Sequence, residues 1–441
     1  MVECYRREPL DLRCGTGSML SLMGTFLGSP QGIVSARGLR MSARESFLAA
    51  VSLVRGAARA MPRFFKAMLW ALPALVLRCS SYRFVMVYGR RIGPLAMQVD
   101  YFLKKRALGG YGGYAGIRPI ILEKHRRVSN PPLLRIWSRH VSVITKGLAY
   151  ELMNPLRIFP FLCIDMTAAS RGLVGKACEY QEIANQWGDR PPIFMLPQEL
   201  LAEGHRTLRA MGVPEGAWFV PVHSRDGRSY WPSEAETTAY RDSDISSYSL
   251  AVDAIIARGG WCIRMGEKGT KPLVGRPGVV NYPDTLYKSD WMDLYLCNQA
   301  RFFLGNTSGL KLVSTISGVP CALANIAPYE CIYGFLPSDI SIPKLLHLDD
   351  GRMPRFAEIF ESDLANRSRF EKPPMLSDNT PEQIRDLAIE MLDVLEGKAQ
   401  RTAEDEARQD SFRRLLVPRH YSYGARSRIG TSFLREYADL L

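Results

Sequence analysis

Three short polar segments hold the residues of this 441-residue chain whose types could bind a phosphate group. Residues 223–227 include Arg225, residues 264–269 begin with Arg264, and residues 305–309 combine glycine with Asn, Thr and Ser. Small and hydroxyl residues at the start of a helix leave backbone N–H groups free for phosphate oxygens, and the helix dipole favours the anion. An arginine guanidinium can add two parallel hydrogen bonds to the same group.

Each of these signals has a structural alternative when it is taken alone. An arginine after a strand is commonly a surface ion pair, residues 305–309 could form a simple turn before a capped helix, and His223 could be a core histidine. The three segments together favour a ligand that carries phosphate.

The segments follow predicted strands of one parallel sheet. Strands are predicted over 217–223, 261–265, 301–304 and 321–324, and helices over 197–211, 245–257, 291–299 and 310–316. Strands that alternate with helices form parallel crossovers, and ligands bind at the carboxyl ends of such strands. We therefore predict a Rossmann-like domain over 205–350 with one binding site at that edge.

A similar alternation precedes this domain. A strand over 82–88, a helix that begins near Pro94, a strand over 120–122 and a helix capped by Asn130 predict a first Rossmann-like domain over 81–204. Residues 351–441 are predicted to be a helical region, with helices over 381–395 and 432–440. The fold class predicted is thus α/β, with two Rossmann-like domains that face a cleft.

The front of the chain differs in charge from the rest. Residues 1–135 contain 22 Lys or Arg against 6 Asp or Glu, a net +16 within a total of +13. Residues 1–40 lack a clear period and predict a poorly ordered extension, whereas 41–80 predict a basic amphipathic helical segment. That segment could lie on an anionic membrane surface or pack on the protein with a solvated basic face, and both interpretations stay open.

Several function classes fit the sequence poorly. It has no P-loop and no G-x-G-x-x-G after a strand, which argues against P-loop NTPases and classical dehydrogenases. The basic front has few interleaved aromatic residues, so we expect no nucleic-acid partner. The cysteines are scattered singly, which favours a reducing, cytoplasmic location. The sequence contains no cluster of Cys and His residues, so we predict no zinc site. The D-x-D sequence of Asp242 and Asp244 does not follow an apolar strand, so we interpret it as a helix start and expect no metal and no other cofactor.

The order and spacing of these segments resemble an uncharacterised family of bacterial surface-polysaccharide glycosyltransferases. More distantly, they are similar to O-fucosyltransferase-like and heptosyltransferase enzymes of the GT-B fold. The segments that carry the resemblance are Arg91-Ile92-Gly93, 223–226, 240–245, 263–266, Ser289-Asp290 with Asp293, 303–309 and 427–434.

The resemblance implies metal-independent transfer of a sugar, of hexosyl or fucosyl type, from a nucleotide sugar bound mainly by the C-terminal domain. The acceptor, a glycan or a lipid-linked molecule, would bind the N-terminal domain, and the enzyme would work in the cytoplasm or on the inner face of the cytoplasmic membrane. The donor residues implied are Arg225, Arg241, Arg264, Gly266, Ser289, Asp293, Asn306, Thr307, Ser308 and Gly309. Arg91 and Gly93 would lie on the acceptor side, and Pro94 stands where similar enzymes often have a histidine.

Sugar transfer needs fixed donors for the charge of the leaving nucleoside diphosphate and a base for the acceptor hydroxyl. The candidate bases are Asp226, Asp244 and His223. Two other functions stay open at this point: a non-catalytic, membrane-apposed nucleotide-binding module, and a sugar-nucleotide epimerase of the same architecture.

Overall fold

The computed structural model describes residues 68–111, 116–124, 128–167, 174–227, 238–365, 375–418 and 420–441. The chain separates into two compact units, Met1–Leu75 and Val76–Leu441. Helix α1 spans residues 68–79. The predicted extension over 1–40 and most of the predicted basic segment lie outside the described residues. None of the described helices is long and apolar enough to cross a lipid bilayer.

A four-stranded parallel sheet lies in the first half of the Val76–Leu441 unit. Its strands are β1 (Tyr82–Met86), β2 (Arg118–Leu122), β3 (Ser142–Ile144) and β4 (Cys163–Asp165), in the order β3-β2-β1-β4. The central residue of β1, Phe84, pairs with Ile120 of β2 and with Cys163 of β4. Apart from Arg83 and Arg118, the residues of β1 and β2 are apolar or aromatic, as expected of strands that helices cover from both sides.

A seven-stranded parallel sheet follows. Its strands are β5 (Phe219–His223), β6 (Trp261–Arg264), β7 (Val279–Asn281), β8 (Phe303–Gly305), β9 (Cys321–Ile326), β10 (Ile340–Pro343) and β13 (Arg428–Ile429). They lie in the order β13-β10-β9-β8-β5-β6-β7. In both sheets the strand order reverses once, as in a doubly wound fold. Successive strands are first added on one side of the sheet and then on the other. This switch point lies between β1 and β4 in one sheet and between β5 and β8 in the other. A small antiparallel pair, β11 (Leu345–His347) and β12 (Met375–Ser377), lies outside the two parallel sheets.

Helices cover both sheets. They are α2 (Ile92–Ala107), α3 (Pro131–Trp137), α4 (Gly147–Met153), α5 (Val174–Trp187), α6 (Gln198–Ala210), α7 (Ser249–Ala257), α8 (Asp290–Gln299), α9 (Gly309–Ile316), α10 (Phe356–Glu361), α11 (Pro381–Leu395), α12 (Ala403–Arg414) and α13 (Thr431–Glu436). The closest packing between the two halves is that of α2 on α9, with α3 on α8 beside it. Side-chain caps fix the first residues of α3 and α11. Before α3, the Asn130 side chain accepts a hydrogen bond from Leu133 N at 2.8 Å, and before α11, Thr380 forms a capping box with Gln383.

One buried apolar cluster joins the two sheets. It includes Val85 and Phe102 from the first half and Ile263 and Phe303 from the second. A second cluster covers the other face of the seven-stranded sheet and includes Phe412 of α12. Part of the predicted C-terminal helical region, 351–441, thus packs on this sheet, and β13 extends it. The mixed α/β class with parallel sheets is confirmed, whereas the boundaries at 204/205 and 350/351 and the division into two Rossmann-like domains stay predictions.

Candidate functional site

The candidate site lies where β5 and β8 end side by side, at the switch point of the seven-stranded sheet. Asn306, which follows β8, is fully buried and joins three loops there. Its Oδ1 accepts a hydrogen bond from Arg225 N at 3.1 Å, and its Nδ2 donates to Arg241 O at 3.0 Å and to Ser243 Oγ at 3.1 Å. The structure thus brings the predicted segments 223–226, 240–245 and 303–309 together, but it uses the Asn306 side chain to hold them.

Arg225 is engaged inside this site. Its guanidinium forms an ion pair with Asp242 and donates to the Thr238 carbonyl at 3.3 Å and to the Thr238 hydroxyl at 2.9 Å. The backbone of Gly227 closes over the pair and donates to Asp242 Oδ2 at 3.0 Å. A Cβ at Gly227 would lie 2.8 Å from Arg225 Nη1, so a larger residue there would displace the end of the Arg225 side chain. Asp242, the partner of Arg225, was not identified from the sequence as part of the site.

Arg241 lacks such an acidic partner in the part of the chain that the structure describes. Its Nη2 donates to the Thr307 carbonyl at 2.9 Å, and its buried Nε has no hydrogen-bond partner among the described residues. Burial lowers the pKa of Arg241 below its ordinary value, and the charges of Arg225 and Arg91 lower it further. Arg225 is itself paired with Asp242, so Arg241 is the arginine here that an added negative charge would serve, and an anion bound to it would relieve both its burial and this repulsion.

Two helices begin at the same place. A Cβ at Gly93, in the first turn of α2, would lie 3.1 Å from the Gly309 Cα, and a Cβ at Gly309 would lie 2.6 Å from Ile92 Cγ2. The two glycines let the helix starts approach closely, so the positive ends of both helix dipoles point to one region. Ser308 caps α9 and accepts a hydrogen bond from Lys311 N at 3.3 Å. The buried Thr307 hydroxyl has no partner among the described residues and could bind an anion.

Arg264 and Gly266 lie at the end of β6, where they hold the loop that follows this strand. The buried Arg264 guanidinium donates to the Thr270 hydroxyl and, at 2.7 Å, to the Lys271 carbonyl. Gly266 has φ 149°, and a Cβ there would lie 3.2 Å from Arg264 Nη1. Arg264 therefore holds the loop 266–271, and a contact between Arg264 and a diphosphate stays a prediction.

Ser289 and Asp293 mark the start of α8. Asp293 is buried, and its Oδ2 lies 2.5 Å from the Lys288 Nζ. Burial raises the pKa of Asp293 to about 6, although the Lys288 charge acts in the opposite direction. Ser289 precedes α8, and its N–H donates to the Tyr282 hydroxyl at 2.9 Å. A carboxylate and a hydroxyl at a loop end could bind the hydroxyls of a ribose.

The three candidate bases differ in their surroundings. His223 is buried at the end of β5, and burial together with the charges of Arg264, Arg225 and Lys288 lowers its pKa to about 3, so it is neutral at pH 7.

Asp244 accepts hydrogen bonds from Lys271 Nζ and from Ser246 N, and it caps the 3-10 helix Ile245–Tyr248. Burial alone would raise the pKa of Asp244, but these bonds bring it below its ordinary value. The helix-start interpretation is confirmed for Asp244, whereas it is wrong for Asp242, which follows the 3-10 helix Ala239–Arg241 and pairs with Arg225. Asp226, half-buried in the loop after β5, is the third candidate. Among the described residues no group of three His, Cys, Asp or Glu side chains could hold a metal ion.

Lys311 is a buried residue of this region that sequence reasoning missed. It lies in the first turn of α9, and its Nζ lies 4.5 Å from the centre of the Phe335 ring. Its charge acts against the raised pKa of the buried Asp339, so Phe335 and Asp339 are neighbours of the Lys311 ammonium.

Comparison with known proteins adds little. No protein-family model matches the chain, and no curated protein matches its sequence. Among solved structures, the chain is similar to a glycosyl transferase family 9 protein from Veillonella parvula DSM 2008. That similarity has a TM-score of 0.35 and 12% sequence identity, over 54% of this chain and 79% of that chain. At this TM-score the similarity carries no argument, so function rests on the geometry above.

Proposed function

We propose that this protein is a glycosyltransferase that moves a sugar from a nucleotide-sugar donor to a glycan or a lipid-linked acceptor in surface-polysaccharide synthesis. The diphosphate of the donor would bind at the switch point between β5 and β8, among Arg225, Arg241 and the start of α9. This proposal is supported by the position of the site, since parallel sheets bind ligands at that point.

The observation that carries the proposal is Arg241. It is half-buried beside two other arginines, and no described carboxylate accepts a hydrogen bond from it. Partial burial of a cation that no carboxylate contacts costs free energy, and a guanidinium matches the geometry of phosphate oxygens. A nucleoside diphosphate would supply the missing negative charge.

The chemistry would follow from these positions. The acceptor hydroxyl loses its proton to a base, its oxygen attacks the anomeric carbon, and the bond from that carbon to the diphosphate breaks. Arg241, Arg225 and the backbone N–H groups at the start of α9 would stabilise the charge on the departing diphosphate. Asp226 is our choice of base, because it is half-buried in the loop after β5 next to Arg225, whereas His223 is buried with a lowered pKa.

We also propose that transfer needs no divalent metal and that the protein associates with the inner face of the cytoplasmic membrane. Metal independence is tested by an assay with excess chelator, and full loss of activity, restored by manganese or magnesium, would contradict it. Membrane association is supported by α1, where Met68, Leu69 and Leu72 are 62%, 73% and 71% exposed.

The test of the nucleotide site is titration calorimetry with UDP, GDP and dTDP, with the monophosphate CMP for comparison, followed by variants with the nucleoside diphosphate that binds. Arg241→Ala should weaken binding at least tenfold, because one charge-assisted hydrogen bond contributes about 1.5–3 kcal/mol and 1.4 kcal/mol is tenfold. Arg241→Lys should restore only part of it, since an ammonium lacks the planar fork.

Arg225→Ala should weaken binding by a similar factor, and it should also release Asp242. Arg206→Ala is the matched control, because Arg206 is an exposed arginine that pairs with Glu203 on α6. Wild-type affinity in a folded Arg241→Ala protein, or no binding of any nucleotide by the wild type, would contradict the proposal.

A further inference from the structure

The four-stranded sheet has a switch point of its own, between β1 and β4, and a cavity opens there. The cavity has a volume of about 610 Å³ and is lined by residues that follow β1, β2 and β4, among them Tyr88, Glu123 and Asp165. None of these lining residues belongs to the site described above. Its position at the carboxyl ends of parallel strands is where ligands of such sheets bind.

One loop connects this cavity with the proposed nucleotide site. Tyr88, Gly89 and Arg90 line the cavity, and three residues later Gly93 packs on Gly309 at the start of α9. The Glu123 side chain lies against this loop, since a Cβ at Gly89 would lie 3.2 Å from Glu123 Cγ. A molecule in the cavity would therefore lie next to the diphosphate site, where the second substrate of a transferase must bind.

The cavity combines carboxylates, cations and tyrosine rings. Glu123 and Asp165 end the strands on either side of β1, so their backbones lie about 10 Å apart at the usual strand spacing. Carboxylates accept hydrogen bonds from sugar hydroxyls, whereas Lys124 and Arg157 suit a phosphate. The Arg157 guanidinium is held in place by Met86 Sδ at 3.2 Å and by the Leu122 carbonyl at 3.3 Å. These groups fit a sugar that is linked to phosphate.

The helix that walls the cavity has an apolar outer surface. Tyr150 of α4 lines the cavity, but no residue of α4 is buried, and Leu148 and Leu152 are 74% and 48% exposed. The 3-10 turns that follow expose Ile158 and Phe161 as well. A short helix normally gains its stability from packing an apolar face, so exposed leucines at this position indicate a surface that contacts something else.

The charge around this surface favours an anionic membrane as its partner. The described residues between 76 and 167, the stretch of chain that contains this surface, have 13 Lys or Arg against 4 Asp or Glu, although Lys104 and Lys105 among them pair with Asp100 and Glu179. The Arg78 guanidinium lies 5.9 Å from the centre of the exposed Phe161 ring, so a cation accompanies the apolar group. Basic residues beside apolar ones are the combination that binds anionic lipid surfaces.

We propose that the cavity beside β1 binds the phosphate-linked sugar of a lipid acceptor, and that Leu148, Leu152, Ile158 and Phe161 contact the anionic membrane that holds this lipid. The proposal rests on the proposed function and selects the lipid-linked acceptor over a soluble glycan.

The first test measures partition of the full chain onto vesicles of phosphatidylglycerol and phosphatidylcholine by flotation. Leu148→Glu with Leu152→Glu should lower partition at least tenfold, while Val274→Glu, at a residue 70% exposed in the other half of the chain, should leave it unchanged. Both variants keep residues 1–79, so a difference between them arises at α4. Unchanged partition of the double variant would overturn the proposal, whether or not sedimentation shows a change in its oligomeric state.

The second test uses phosphatidylglycerol vesicles with and without a polyprenyl-phosphate-linked glucose as the probe. The wild type should bind at least fivefold more strongly to vesicles that contain the probe. Arg157→Gln should remove this gain and keep the binding to plain vesicles, whereas Arg139→Gln, at an exposed residue outside the cavity, should keep both. Equal binding to the two kinds of vesicle would overturn the acceptor class. Nucleotide titration on the same proteins reports on the Arg241 site separately, so the two proposals can fail independently.

Discussion

The two switch points of this protein differ in how tightly their side chains are held. At the end of β5 and β8, Arg225 is paired with Asp242 and Asn306 ties three loops together by its side chain. At the end of β1 and β4 a cavity of about 610 Å³ is open, and Asp165 is exposed. The same strand order therefore supports a preformed set of polar contacts in one sheet and an open polar cavity in the other.

This difference suits two kinds of ligand. Fixed donors stabilise a charge best when they need no rearrangement, which is what a diphosphate leaving group requires. An open cavity bordered by an apolar surface suits a ligand that enters from a membrane. If this comparison is right, substitution of the buried residues that hold the first region together should lower stability and nucleotide binding together, whereas substitutions around the cavity should lower neither.

The largest effect is expected at Asn306. Asn306→Ala removes three hydrogen bonds of a buried side chain, each of them partly buried, and leaves Arg225 N and Arg241 O without their partner. The free energy of unfolding should fall by about 3 kcal/mol, since one unsatisfied buried polar group costs about 1–3 kcal/mol. Urea unfolding measures this, and Asn298→Ala, on the more exposed end of α8, should change it by less than about 0.5 kcal/mol. Equal stabilities of the two variants would break the comparison.

The second prediction concerns the pH dependence of stability at His223. Its pKa is about 3 in the folded protein, against an ordinary value of 6.5. Below pH 6.5 the unfolded chain takes up a proton that the folded protein does not, so stability from this group is complete above 6.5 and falls as the pH decreases toward 3. At pH 4.5 the loss should be about 2–3 kcal/mol at 1.36 kcal/mol per pKa unit.

His223→Gln should remove this loss, because glutamine does not titrate. The measurement is the difference in unfolding free energy between pH 7.5 and pH 4.5 in the two proteins. Asp293 and Asp339 have raised pKa values of about 6 and act with the opposite sign, but they are present in both proteins and cancel. The same difference in unfolding free energy in both proteins would mean that water reaches His223 and that the carboxyl end of β5 is open to solvent.

The third and smaller effect is expected where the two helix starts meet. Gly309→Ala places a methyl group 2.6 Å from Ile92 Cγ2 and 3.1 Å from Gly93 N, so the helices must separate slightly. Overpacking of this kind costs about 1–3 kcal/mol, and nucleotide affinity should fall with it because the helix ends move. Gly275→Ala is the control, since nothing lies within 4 Å of a Cβ there. Thermal unfolding measures the loss of stability and titration calorimetry the loss of nucleotide affinity. A gain in stability in Gly309→Ala would contradict the close contact.

Much of the seven-stranded sheet could be predicted because its strands are apolar runs that alternate with helices. Strands at 217–223 and 261–265, and the helix at 381–395, appear as β5, β6 and α11. Since parallel strands end at one edge, the sequence also indicated that 223–226 and 303–309 lie together. The pairs within the edge were not predictable, because Arg225 meets Asp242 only through the path of the loop between them.

The edge of the four-stranded sheet was harder to predict. β3 and β4 have three residues each and show no period, so Asp165 could not be placed at the end of a strand. Without β4 there was no switch point, and the cavity had no signal in the sequence. β13, with two residues, joins the seven-stranded sheet from far along the chain and was missed for the same reason.

The smallest effect is expected at Asp244, which the sequence placed among the candidate bases. Its ion pair with Lys271 is exposed, at 52% and 58% of the two side chains, and such pairs contribute about 0–1 kcal/mol. Asp244→Asn keeps an acceptor for Ser246 N, so the cap at the start of 245–248 should survive. Stability should change by less than about 0.5 kcal/mol and the rate of sugar transfer by less than about twofold. Asp226→Asn should instead lower the rate by about 100-fold or more, as loss of a general base does, with nucleotide binding retained. A large loss of rate in Asp244→Asn with full nucleotide binding would show that Asp244 leaves Lys271 during the reaction. In that case this edge of the seven-stranded sheet rearranges when the acceptor binds, and its tight hydrogen bonding describes only the protein without substrate.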